Sequence, residues 1–493
     1  MKRIYLSLLF FVIFGLSSCH KDLIEVNLND PDTEDVLSEP EGVYLLAEGS
    51  FFNWYMTVTS SISPRMAMWV MADNGTCSWA NSGMFHLSSE PRAPFDNSTS
   101  YTYAYIFEAY YADLYGTLQM VNNVLRSIED GMEFGEDGKD TKMLQSFSYF
   151  IQGASLGYLG LVYDQAFIVT DDLTIEEIAL LPPSPYADVM KASIESLDKA
   201  IEIARNNNFT IPENWINGSE YSSTEVAELA SGFAARFLVH GSRNATENSQ
   251  VNWSKVKDYA NNAMKRDLAP YMDNVKWKSW FRYYTVRPGW ARIDARVINL
   301  MDDRYPWRFP DDGISPPPAQ GDDNRLQSDF SFNSVNNMKP ERGYYHFSNY
   351  EYTRYPYSIS THTGEVVEFS VAEIDLFRAE AYAMMGDLGQ AIQILNDGTR
   401  TTRGGLSPLN TASSKEKVLE AIFYERDIEL IQTGFGIAFF DMRRRDFLQV
   451  GSMLHFPIPA KELMVMQMPI YTFGGVNNAD GVNTSNGGWF PEK

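Results

Sequence analysis

Apolar positions recur at steps of three and four residues through much of this chain. The clearest case is VAEIDLFRAEAYAMMGDLGQAIQIL, in which Val371, Ile374 and Phe377 share one helical face. Gly386 and Asp387 interrupt this face, and a shorter apolar face follows them. Two amphipathic helices joined by a tight glycine turn bury their apolar faces against each other. The pattern therefore predicts an antiparallel helix hairpin of the tetratricopeptide type.

The same periodicity predicts further helices and hence a mostly α fold. It begins near Glu41 and then predicts helices over residues 104–128, 141–163, 187–204, 225–240, 253–264 and 417–431. Small residues in the second of these, among them Gly153 and Gly157, favour close packing between helices. We therefore predict a helical-repeat scaffold built from tetratricopeptide-like helix pairs of irregular period.

Helical periodicity is lost between residues 270 and 370. Gly, Pro, Asp, Asn and aromatic residues dominate there, and the tyrosines at 350–357 favour a short strand. Long irregular segments in otherwise ordered proteins are often binding loops. The sequence thus predicts an irregular, loop-rich subdomain inserted before the last helix pair.

The N-terminus has the pattern of a bacterial lipoprotein signal. Two basic residues, Lys2 and Arg3, precede an apolar run that is too short to span a membrane and ends in LSSC. We predict cleavage before Cys19 and lipidation of its thiol; the alternative is an ordinary secretory signal with a chance Cys. An acidic stretch, residues 20–41, follows and is predicted to be a charged tether.

Net charge and cysteine count exclude several classes. The formal net charge is -24, which makes the chain a poor partner for nucleic acid or anionic lipid headgroups. Only two Cys are present, so lipidation of Cys19 leaves Cys77 without an intramolecular partner. No second apolar run is long enough to span a bilayer.

Motifs for catalysis and metal binding are missing from the sequence. It contains no GxSxG, HExxH, Walker A, strand–helix GxGxxG or CxxC pattern, and no two His stand at a metal-ligand helical spacing. We therefore assign no catalytic residue, no metal and no cofactor. The acidic pairs Asp311-Asp312 and Asp322-Asp323 are interpreted as surface turns, with calcium binding as the alternative. A glycosidase carboxylate pair is the alternative that the sequence leaves open.

Aromatic residues make up 14% of the chain, and some of them lie outside the predicted helices. One group is in ADNGTCSWANSG and the other in YMDNVKWKSWFRYYTVRPGW, where arginines are interleaved. Flat aromatic faces match the C–H faces of sugar rings, and neighbouring polar groups can bond the hydroxyls. The alternative is a satellite core beneath a long loop. The predicted ligand-binding residues are Asp73, Trp79, Asn81, Trp280, Tyr283, Tyr284 and Trp290.

A set of ordered motifs in the C-terminal third resembles the SusD/RagB family, the surface nutrient-binding lipoproteins of Bacteroidota. The motifs are Ala379-Glu380-Ala381-Tyr382, Glu425-Arg426 with Glu429-Leu430, Phe440-Asp441 with Arg443-Arg444, and Pro457-Ile458-Pro459 with Glu462-Leu463. Where many members carry Glu-Gly-x-Arg, this chain has Phe435-Gly436-Ile437-Ala438. The difference indicates a divergent subfamily.

The resemblance implies a function and a partner. The function is non-catalytic capture of a glycan for import through a SusC-like TonB-dependent transporter, with the protein lipid-anchored at the surface of the outer membrane. Oligopeptide capture, as in the RagB branch, is the alternative among binding proteins, and a surface glycoside hydrolase is the alternative among enzymes. The resemblance also favours ion pairing in the core for Arg443–Arg445 over a phosphate site. It offers a surface-export signal as the alternative to a simple tether for residues 20–41.

Five segments are expected on these grounds. They are a signal peptide (1–18), a lipidated Cys with an acidic tether (19–40), a SusD-like helical-repeat region (41–269), the irregular aromatic-rich subdomain (270–370) and a RagB/SusD-type region with the last helix pair (371–493).

Overall fold

The computed structural model describes residues 33–76, 81–287, 289–335, 348–355, 357–478 and 480–484, and this part of the chain is mostly helical, as predicted. A 3-10 helix covers Glu136–Gly138. The α-helices are α1 (Thr33–Ser38), α2 (Pro40–Thr59), α3 (Arg65–Met71), α4 (Met84–Leu87), α5 (Tyr105–Glu129), α6 (Thr141–Val162), α7 (Ile175–Leu180), α8 (Tyr186–Asn206), α9 (Ser223–His240), α10 (Ala245–Ser249), α11 (Trp253–Asn261), α12 (Trp280–Thr285), α13 (Ala295–Met301), α14 (Arg325–Ser328), α15 (Val371–Met384), α16 (Leu388–Asp397), α17 (Thr399–Thr402), α18 (Lys415–Glu429), α19 (Ile437–Arg443) and α20 (Ala460–Val465).

The strands are short and pair in antiparallel twos. They are β1 (Gln165–Ala166) with β2 (Ser184–Pro185), β3 (Thr210–Ile211) with β4 (Tyr221–Ser222), β5 (Tyr271–Met272) with β8 (Gly364–Glu365), and β6 (Phe330–Phe332) with β7 (Tyr350–Tyr352). In the last pair, Phe332 lies opposite Tyr350. The predicted strand among the tyrosines is therefore β7.

The long helices pack as one continuous array. Each of α2, α5, α6, α8, α9 and α11 packs against the next, and α11 then packs against α15 of the final hairpin, α15–α16. Because α11 and α15 are neighbours in space, the residues between them leave the array and return to it. Within the described segments, no helix combines the length and apolar character needed to cross a membrane.

Glycines let α6 approach its neighbours closely, as predicted. A Cβ added at Gly153 would lie 2.6 Å from Leu197 of α8, and one at Gly157 would overlap the ring of Phe237 of α9. Neither contact distance is possible between real atoms, so both positions require glycine. The array is held at a spacing that a larger residue would prevent.

Ion pairs in the core join α15, α18 and α19. Arg426 lies 2.6 Å from Glu380 and 2.8 Å from Asp441, and Arg444 bonds the same two carboxylates at 2.7 and 2.6 Å. Arg443 instead donates to main-chain carbonyls, including that of Leu161 at 2.8 Å. The predicted ion pairing in the core is confirmed for Arg444 and for Arg445, which lies 2.8 Å from Asp441. For Arg443 it was wrong, because this buried side chain bonds carbonyl oxygens instead.

A second buried ion network joins the irregular region to α18. Arg325 lies 2.7 Å from Asp323, 2.7 Å from Glu425 and 3.0 Å from Glu429. All four side chains are buried. Asp323 is thus a buried ion-pair partner, and its interpretation as a surface turn residue was wrong.

Candidate functional site

The second aromatic group of the sequence forms one cluster around α12. Trp280 stacks on Tyr283 with ring centroids 5.3 Å apart and an interplanar angle of 20°. Trp290 lies edge-on to Tyr283 at 5.7 Å and 5.8 Å from Tyr284. Trp280, Tyr283 and Trp290 are half-buried, whereas Tyr284 is buried. The cluster therefore presents three aromatic side chains at the surface and anchors them on a fourth.

Two polar side chains join this cluster. The guanidinium of Arg287 lies 4.3 Å from the centroid of Tyr283 and 4.7 Å from that of Trp290. Its Nη2 is 3.4 Å from Nε2 of His362, whose ring is 4.4 Å from that of Tyr283. Partial burial and the charge of Arg287 lower the pKa of His362. A neutral imidazole here can both donate and accept a hydrogen bond.

The structure places the two predicted aromatic loops side by side. Gly75 forms an antiparallel bridge with Ile293, Thr76 donates its N–H to the carbonyl of Arg292 at 3.1 Å, and Ile293 donates to the carbonyl of Tyr350 at 2.8 Å. Main-chain hydrogen bonds thus run from the early loop through residues 292–294 to β7. Trp69 of α3 packs edge-on against Phe281 beneath this junction, at 5.9 Å.

The first loop contributes less to the accessible surface than its sequence indicates. The carboxylate of Asp73 is buried, accepts from Gln449 at 2.9 Å and lies 3.5 Å from Arg92. Asn81 is half-buried. Trp79 lies outside the described residues, as does Cys19. Asp73 therefore supports the loop from within and does not present its carboxylate to a ligand.

Of the three arginines interleaved with the second aromatic group, only Arg287 reaches the cluster. Arg282 is buried and donates to Oε1 of Gln432 at 2.6 Å, and Arg292 is buried beside the early loop. Sequence reasoning missed His362, which lies 75 residues from Arg287 along the chain. Its position carries no local signal, because it depends on how the loop before β8 folds back.

Sequence reasoning also missed a hollow beside α4. It has a volume of about 480 Å3, and its lining includes Phe85, His86, Asp96 and Tyr101. His86 Nδ1 lies 3.3 Å from the hydroxyl of Tyr101. Phe85 packs against the same core as Trp280 and Trp290. The alternation of Ser, Thr and Tyr in STSYTY, just after the early loop, was the available signal.

Comparison with known proteins identifies the scaffold. The profile of the SusD family matches residues 235–479. The chain belongs to the SusD family. The matched residues include the ion-paired core of α15, α18 and α19, and the aromatic cluster on α12. Family members are non-catalytic, outer-membrane-associated proteins that bind nutrients, so this chain is a binding protein and not an enzyme.

Solved structures share the fold at low sequence identity. A SusD superfamily protein from Parabacteroides distasonis is 12% identical, with a TM-score of 0.61 over 86% of this chain and 97% of that one. A SusD superfamily protein from Bacteroides vulgatus is 15% identical, with a TM-score of 0.58 over 87% and 97%. A SusD-like carbohydrate binding protein from Bacteroides vulgatus is 17% identical, with a TM-score of 0.52 over 82% and 83%. A search of curated proteins found no match.

Among the residues that the structure describes, no three His, Cys, Asp or Glu side chains come together as metal ligands do.

Proposed function

We propose that this protein binds a glycan at the cell surface and passes it to a SusC-like TonB-dependent transporter. The observation that carries the proposal is the cluster of Trp280, Tyr283 and Trp290, whose half-buried rings stand with Arg287 and His362 on the loop-rich side of the scaffold. Rings held by their neighbours lose little entropy when a sugar stacks on them. Charged and neutral donors beside them can bond sugar hydroxyls and fix the orientation of the sugar.

We infer that the hollow beside α4 is a second part of the binding surface. Its volume of about 480 Å3 falls within the ordinary range of small-molecule sites, and Phe85 connects it to the core under the cluster. A glycan of several units can therefore stack on the cluster and place another unit in the hollow. The solved relative described as a SusD-like carbohydrate binding protein supports the ligand class.

Binding to a panel of plant, host and microbial glycans tests the proposal. The chain beginning after Cys19 is assayed by affinity electrophoresis and calorimetry, and product formation is followed in parallel. We expect saturable binding to one glycan class without hydrolysis. Replacement of Trp280 by Ala should weaken it by about tenfold or more, which corresponds to about 1.4 kcal/mol for the loss of one stacked ring.

Phe447→Ala is the matched control, because Phe447 is an exposed aromatic residue that packs on Arg445 and not on the cluster. Thermal unfolding of each variant shows that the fold is retained. Binding of peptides but of no glycan would replace the proposal with oligopeptide capture. Released sugar product would replace it with hydrolysis.

A further inference from the structure

A small cavity lined mostly by buried residues lies beside α12, and Trp280, Tyr283 and Trp290 are not part of its lining. Its lining includes Arg65, Trp69, Phe281, Gln432 and Ile437, all of them buried. The cavity volume that the centre of a water molecule can reach is about 20 Å3. Such a space holds one particle of that size when polar groups face it. The cavity therefore fits a single small guest.

Arg65 supplies hydrogen-bond donors that nothing in the described chain accepts. Only 2% of this residue is exposed, and its Nη1 donates to Glu368 at 2.7 Å. Its guanidinium lies 4.4 Å from the centroid of Phe281, which also lines the cavity. Its Nε and Nη2 are buried and have no hydrogen-bond partner among the described residues. Each buried donor left in this state costs about 1–3 kcal/mol, so the guest should be an acceptor.

The surrounding charges distinguish between a water molecule and an anion. Glu368 pairs with Arg65, and Glu373 pairs with Arg236 at 2.6 Å. Arg282, also buried, donates to the side-chain and main-chain oxygens of Gln432, which are neutral, and it pairs with no carboxylate among the described residues. Burial lowers the pKa of Arg282 to about 10, which leaves it cationic at neutral pH. Among these five side chains, the three positive charges therefore exceed the two negative charges by one.

We propose that this cavity binds one chloride ion, with Nε and Nη2 of Arg65 as its donors. A buried charge without a partner is costly, and an anion beside Arg65 offsets the excess charge that Arg282 brings. A halide is monatomic, and it is therefore the anion that best matches so small a space. The ion would stabilise the position of α12 whether or not a nutrient is bound at the aromatic cluster.

Thermal unfolding of the mature chain tests the proposal when sodium gluconate is replaced by sodium chloride at constant ionic strength. We expect the unfolding temperature to rise with the logarithm of chloride concentration, as it does when a ligand binds only the folded state. Bromide should act as chloride does. Equal unfolding temperatures in chloride and gluconate would overturn the proposal and leave a water molecule in the cavity.

Arg282→Met removes the excess charge and keeps most of the side-chain volume. Chloride should then bind at least about tenfold more weakly, because a charge close by in a poorly solvated interior is removed. Arg378→Met, at a partly exposed pair with Asp375, is the control and should leave chloride binding unchanged. A chloride response in Arg282→Met equal to that of the wild type would contradict the charge argument.

Crystals of the wild-type protein grown in bromide test the proposal without a variant, because bromide can be located by its anomalous scattering. We expect an anomalous peak within hydrogen-bonding distance of Arg65 Nη2. Anomalous peaks at the molecular surface alone would overturn the proposal.

Discussion

Gly157 in α6 gives a sharp test of how closely the scaffold is packed. A Cβ added there would come closer than 3.0 Å to three atoms of the Phe237 ring. That ring is fully buried and is held by Tyr158 at 5.5 Å and Phe233 at 5.8 Å, both edge-on, so it cannot swing aside. Gly157→Ala should therefore move the backbone of α6 or α9 and destabilise the fold.

The magnitude follows from two opposing effects. Alanine is better than glycine in a helix by about 1 kcal/mol. Overpacking a well-filled core costs about 1–3 kcal/mol, and we expect the upper end because three ring atoms overlap the new methyl group. Gly157→Ala should thus lose about 2 kcal/mol of unfolding free energy. Gly116→Ala in α5 is the control, since an added Cβ there meets nothing within 4 Å, and it should gain about 0.5–1 kcal/mol.

Urea denaturation followed by circular dichroism measures both variants. At an unchanged slope, a shift of the midpoint reports a change of stability. A midpoint for Gly157→Ala at or above that of the wild type would refute the packing argument. Adding Phe237→Leu to Gly157→Ala should recover part of the loss, because the two residues share one contact and their effects are not additive.

Two further predictions concern charged groups. Arg426→Met should lower the unfolding free energy in urea by about 3–5 kcal/mol, because it breaks a buried network and leaves Glu380 and Asp441 sharing one fewer cation. Lys191→Met, at an exposed ion pair, is the control and should have no measurable effect. Equal losses in the two variants would contradict this reasoning. Burial raises the pKa of Asp164 to about 6, so protonation of this carboxyl stabilises the folded state at low pH, and that contribution is lost as pH rises through about 6. Asp164→Asn should therefore gain stability relative to the wild type between pH 4 and pH 7, by up to about 3 kcal/mol, and parallel pH profiles of the two proteins would show that this carboxyl is not responsible.

Sequence periodicity located the long helices well and the short ones poorly. The predicted segments 104–128 and 141–163 correspond to α5 and α6 within one residue at each end, because each helix has a continuous apolar face. By contrast, every residue of α3 is buried, so this helix has no polar face and no period to detect. Burial on all sides removes the signal on which the prediction depends.

The candidate site was predictable in composition but not in arrangement. The sequence grouped Trp280, Tyr283 and Trp290, because they lie within eleven residues of one another. It could not show that residues 74–76 pair with 292–294, a contact between loops more than 200 residues apart. Nor could it separate Arg287, which reaches the cluster, from Arg282, which turns inward to Gln432. Both differences depend on the tertiary fold.

Helix α18 explains why the family is recognisable while its ligand is not. Glu425 and Glu429, one turn apart, face Arg325 of the irregular region, whereas Arg426 faces Glu380 and Asp441 of the helical scaffold. One part of the family motifs, Glu425 and Glu429, thus fastens the loop-rich subdomain to the helices, and the other part joins the helices to one another. Buried ion networks tolerate few replacements, because removal of one partner leaves another charge unpaired. The half-buried rings of Trp280, Tyr283 and Trp290 are held by ring packing, so a replacement of one of them leaves no buried charge unpaired.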